Sequence, residues 1–110
     1  MRSSVQAHLR RIAAHATTIT YQALATEMKL SPPNTIHQLT TMLEELMRED
    51  AAADRPFIAA LVVSKRPPYL PGRGFFQCAA DLGRFSGAAS DAHDFHAQEL
   101  AHAHRYWSAI

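Results

Sequence analysis

The ten residues KRPPYLPGRG, positions 65–74, constrain this chain more than any other stretch. Each proline fixes φ and removes a backbone donor, so the segment is neither a helix nor a central strand. Gly72 and Gly74 permit positive φ and close backbone approach. Before it stands FIAALVVS, a continuous apolar run with β-branched Ile58, Val62 and Val63. After it come Phe75, Phe76 and Cys78. That order predicts a buried strand, a stiff cationic turn and a return strand, a β-hairpin over residues 57–80.

Upstream, the spacing is helical. Val5, Leu9, Ile12 and Ala13 share one face of a helix predicted over residues 5–15, with Ser3 or Ser4 as its cap. Thr17 and Thr18 break the pattern. In ITYQALATEM, Thr20 caps a helix over residues 21–28 whose inner residues are Tyr21, Leu24, Ala25 and Met28. SPPNTIHQLTTMLEELM has Ser31 as N-cap and Pro32 at the first helical position. Ile36, Leu39, Leu43, Leu46 and Met47 form its core stripe, and it ends near Arg48. A polar link, EDAAADRP, leads to the apolar run. Residues 81–90 are rich in small residues and read as a loop, and Asp91 caps a last helix reaching about Trp107.

Helix, turn, helix, strand, basic hairpin is the element order of a winged helix. The expected fold is α+β and mostly α: three helices and a β-hairpin wing, with an extra C-terminal helix. At 110 residues the chain makes one domain, with a helical part over 1–56, strand–wing–strand over 57–80 and the last helix over 91–108. Hydrophobic content of 47% suits a folded core. The longest apolar run is too short to span a membrane, and the start lacks a signal-type apolar segment, so a cytoplasmic protein is expected. The single cysteine, Cys78, excludes an internal disulfide and reads as a small buried hydrophobe.

Net charge is only +1, but it is unevenly spread. Arg2, Arg10, Arg11 and Lys29 make the first third basic, and Lys65, Arg66, Arg73 and Arg84 do the same around the turn. Acids gather at Glu44, Glu45, Glu49, Asp50 and Asp54. One face is then positive enough to meet an anion. Asn34, Thr35, His37, Gln38 and Thr41 cluster at the start of the third helix, and side chains of these types read base edges. Lys65, Arg66 and Arg73 suit phosphates, Tyr69 suits a sugar, a base or a protein pocket, and Arg10 and Arg11 could add to them. A plain solvated helix face and a rigid surface loop are the competing interpretations.

Seven histidines raise a metal question. His93 and His96 share a helix face at i, i+3, but His102 and His104 cannot join them, and no zinc-type spacing results. No nucleophile–base pair, phosphate-binding loop or paired-carboxylate motif is present, so no catalytic residue, cofactor or metal is assigned.

ITYQALA, the following helix, LVVSK and the glycine-containing RPPYLPGRGFF together resemble the winged helix-turn-helix domain of the alkylguanine-DNA alkyltransferase and alkyltransferase-like family, over about half of the chain. The resemblance implies a DNA-binding scaffold. It does not imply alkyl transfer, because PFIAALVV stands where that family carries its PCHR active site, and Tyr21 matches only the motif tyrosine. The sequence therefore supports a non-enzymatic nucleic-acid-binding regulator or accessory protein, with DNA ahead of RNA. The alternative is a protein-interaction module working through the prolines, Tyr69 and the tail Tyr106, Trp107 and Ile110, which could also pair two copies through the C-terminal helix. An enzyme with a small-molecule site near His93, His96 and Tyr69 is a third and weaker reading.

Overall fold

A computed structural model describes residues 2–109, apart from the side chain of Arg2. Ile110 of the expected aromatic tail and the charge of Arg2 lie outside what it describes. The first helix, α1 (Arg2–Ala14), buries Val5, Leu9 and Ala13. Ser3 and Ser4 lie inside it rather than capping it. A short strand, β1 (Ile19–Thr20), leads directly into α2 (Tyr21–Glu27). Thr20 is the cap expected from the sequence: its Oγ1 accepts the Ala23 amide at 3.1 Å.

The next helix, α3 (Thr35–Ala52), starts later and ends later than its pattern suggests. Pro33 disfavours helical backbone at Pro32, which delays the start. Asn34 is the N-cap residue instead, at φ 62°, in the left-handed region that asparagine tolerates. Its side chain makes no cap bond. The Gln38 amide nitrogen instead ties the turn down, donating to Ser31 O (3.0 Å) and Pro33 O (2.9 Å). Leu39, Leu43, Leu46, Met47 and Asp50 point inward.

The expected strand–wing–strand over 57–80 does not form. Residues 57–63 are all buried. They wind into a 3-10 turn (Ile58–Leu61) followed by a two-residue strand, β2 (Val62–Val63). That strand pairs parallel with β1, Ile19 opposite Val62 and Thr20 opposite Val63, so it needs no return strand. Phe75, Cys78 and Ala79 are the buried face of a helix, α4 (Arg73–Asp81), opened by Gly72. The basic segment therefore joins a parallel strand to a helix. The last helix, α5 (Ala92–Ser108), buries His96, Glu99, Ala103 and Trp107. A 3-10 turn (Ala89–Asp91) precedes it, and Asp91 accepts from Ser86 Oγ (2.9 Å) rather than capping α5 with its side chain.

The domain is thus mainly helical around a small parallel pair. α1 lies against α5, both cover the first 3-10 turn, and α3 closes it from another side while also packing on α2 and α4. No helix among the described residues is long and apolar enough to cross a membrane.

A polar clamp fixes residues 50–58 beneath these layers. Asp50, fully buried, accepts from Arg55 Nε (2.6 Å) and the Ile58 amide (3.0 Å). Glu99 accepts from the Phe57 amide (2.8 Å) and Arg84 Nη1 (3.3 Å). Arg84 Nη2 also reaches Arg55 O at 2.6 Å, and its guanidinium lies 4.4 Å from the centre of the Phe57 ring. Trp107 Nε1 donates to Pro56 O (3.0 Å), so the C-terminal aromatic is spent on the core. Unpaired, these buried groups would each destabilise the fold; paired, they set the path of the chain into β2.

Candidate functional site

Loop 64–72 follows β2 and is held by its own backbone and by α2. Ser64 N donates to Leu70 O and Tyr69 N to Arg66 O, each at 2.8 Å. Gly72 N donates to the Tyr21 hydroxyl (2.8 Å), and Lys65 Nζ to Gln22 Oε1 (3.3 Å). Burial pushes the Tyr21 hydroxyl above its ordinary pKa, with the Gly72 amide pulling the other way, so it stays a neutral anchor. Tyr69 sits at φ 59° with 56% of its surface exposed, so the loop backbone holds an aromatic ring outward.

Between this loop, the first turn of α2 and one face of α3 runs a groove of about 640 Å³. Ile36, Leu43, Met47, Val63, Leu70 and Phe75 supply its apolar surface. Lys65, Arg66 and Arg73, all exposed, stand on its rim. Tyr21, Thr40 and Glu44 add polar atoms. The Glu44 carboxylate lies against Gly74, where an added Cβ would come within 3.2 Å of Oε2.

The expected contact residues fall into three groups. Lys65, Arg66 and Arg73 come together, with Tyr69 in the same loop. His37 and Thr41 are exposed and follow groove-lining Ile36 and Thr40, so a step of about 100° per residue places them on the ridge beside it. The Thr41 hydroxyl donates to His37 O (3.0 Å). Gln38 keeps its amide nitrogen on the 31–33 turn. Asn34 is exposed at the helix start, and Thr35 lines a smaller depression with Gln22, Thr26 and Leu30. Arg10 and Arg11 do not join them. Arg10 lies over the Trp107 ring (5.6 Å), which Arg55 also covers (5.3 Å), near the Asp50 end of α3. Asn34 and Asp50 are about 24 Å apart along the helix axis. Arg11 Nη2 lies 3.3 Å from His8 Nδ1.

Sequence patterning missed the groove's apolar lining. Ile36 reads as part of the core stripe, yet it is 38% exposed and opens onto the groove. Spacing gives no signal for this: at about 100° per residue Ile36 falls between Leu43 and Met47, both buried, and it differs from them only in its place in the first turn of α3. The histidines do not assemble. His96 is buried and donates Nε2–H to Ala60 O (3.0 Å), His93 is exposed, and His104 donates to Thr17 O (2.9 Å). Among the described residues no group of three His, Cys, Asp or Glu could hold a metal ion. Cys78 is buried in α4, and burial, then the charge of Glu44, pushes its thiol up, which disfavours the thiolate. Compared with protein-family models, curated proteins and solved structures, the chain matches none.

Proposed function

We propose that this protein is a non-enzymatic nucleic-acid-binding regulator or accessory protein, built on a variant of the winged-helix plan and favouring DNA over RNA. One observation carries this: Lys65, Arg66 and Arg73 rim the same groove that the solvent ridge of α3 borders. A loop rather than a hairpin does the work of the wing. His37 and Thr41, with Asn34 at the helix start, face base edges, and the three cations contact phosphates. The likeness of ITYQALA to alkyltransferase-like proteins supports the same scaffold. The buried, nucleophile-free stretch Phe57–Val63 fits binding without alkyl transfer.

Fluorescence anisotropy with a labelled 20-base-pair duplex tests this, with single-stranded DNA and duplex RNA as competitors. Each lost phosphate contact flattens the plot of log K against log salt by about 0.9. The triple variant Lys65→Ala, Arg66→Ala, Arg73→Ala should therefore lose about 2.7 from the slope. Between 50 and 200 mM salt its affinity should fall about 40-fold less than that of the wild type. A variant with the wild-type slope, or a wild type that binds none of the three probes, refutes the assignment.

A protein-interaction module is the second candidate, favoured by the exposed rings of Tyr69 and Tyr106, 56% and 40% accessible. Binding through them would persist at high salt. Burial of Trp107 removes the strongest aromatic anchor from any pairing of two copies through α5.

A further inference from the structure

A duplex held by the rim and the α3 ridge leaves the groove's apolar surface without a task. We infer that the groove is a binding site for a small amphipathic organic acid, one with an aryl or alkyl body and a single carboxylate, sulfonate or phosphate head.

Three features define that guest. The volume of about 640 Å³ lies within the range of drug-sized ligand sites. The lining is predominantly apolar, and Ile36 stays 38% exposed there although the rest of its helix stripe is buried. An apolar body laid over Ile36 and the half-buried Leu70 removes that surface from water. Lys65, Arg66 and Arg73 rim the groove against one acid, Glu44. An anionic head at the rim meets complementary charge, while Glu44, set against Gly74, accepts from an N–H or O–H on the body. The wall is formed in advance: the Tyr21 hydroxyl and Gln22 hold the loop, so little ordering is needed on binding. The inference stands without the nucleic-acid assignment. If both hold, the acid and the duplex compete for the same three cations.

The test uses two probes with the same body, 8-anilinonaphthalene-1-sulfonate and the uncharged N-phenyl-1-naphthylamine, titrated into the folded full chain without nucleic acid. One saturable site is expected for the sulfonate, at least tenfold tighter than for the neutral probe. The double variant Arg66→Ala, Arg73→Ala, which leaves the Lys65–Gln22 contact in place, should erase most of that preference and change neutral-probe affinity less than twofold. Ile36→Asp, at an exposed position that keeps the fold intact, should weaken both probes at least fivefold. Amide chemical-shift changes should map to residues 20–22, 36–47 and 63–75. Shifts centred instead on the ring cluster Phe76, Phe85 and Phe95, a sulfonate preference that survives undiminished in the double variant, or no saturable binding would overturn the inference. Loss of duplex binding with sulfonate binding intact would refute only the nucleic-acid assignment.

Discussion

Replacing Arg55 by alanine should destabilise the domain by an amount that depends on pH in a defined direction. Among the described residues Arg55 is the side chain bonded to the fully buried Asp50 carboxylate, which also accepts from the Ile58 amide. Removing one member of a buried ion pair costs about 3–5 kcal/mol. The Arg55 side chain is 27% exposed, so water relieves part of the loss and the low end, about 3 kcal/mol, applies. In a domain of this size that lowers Tm by roughly 15 °C. Burial already holds the Asp50 carboxyl above its ordinary pKa, against the hydrogen bonds of Arg55 and Ile58 and the charges of Arg55 and Arg84. Without Arg55 it rises further. A carboxyl with a higher pKa folded than unfolded takes up its proton first in the folded state, which stabilises that state as pH falls. The deficit of Arg55→Ala relative to wild type should therefore be largest at pH 8 and shrink towards pH 5. Urea unfolding of both proteins at four pH values reads this directly. A deficit below about 1 kcal/mol, or one unchanged across the range, refutes the claim that Asp50 is a buried charge held by Arg55.

Three further outcomes follow from other contacts. Thr20→Ala should cost about 1 kcal/mol in thermal unfolding, and Thr20→Ser should restore most of it, because the hydroxyl caps α2. His96 is pulled below its ordinary pKa mainly by burial, so the unfolded chain takes a proton that the folded chain refuses; wild-type stability should fall as pH drops from 7.5 to 5.5, and His96→Gln should show a flatter profile. Tyr69→Gly relieves a left-handed backbone at an exposed side chain, so stability should stay within about 1 kcal/mol of wild type; a larger loss in urea titration would mean that the ring is packed.

The helices were legible because their signals are local. Thr20 and Ala23 make a cap within three residues, and Leu39, Leu43 and Leu46 repeat at helical spacing. The region 57–80 was not. An apolar run such as FIAALVV fits a strand or a buried turn of helix equally well, because burial on every side removes the alternation that separates them. What decides it is a partner 43 positions away, Ile19 opposite Val62, which no window along the chain reveals. Without a return strand, Phe75, Cys78 and Ala79 are free to follow their helical spacing. The cations of the loop were visible in the sequence. The groove behind them was not, since it exists only where Ile36, Leu70 and Phe75 meet across the fold.

The two walls of that groove differ in mechanical character. The α3 side is welded into the body, through the Leu39–Leu46 face within and the Asp50 clamp at its far end. The opposite side hangs on two polar contacts to α2, Tyr21 to Gly72 and Gln22 to Lys65. A guest too wide for the gap will thus be accommodated like an object in a vice with one fixed jaw, by displacement of the loop alone, and amide exchange at Gly72 should register it first.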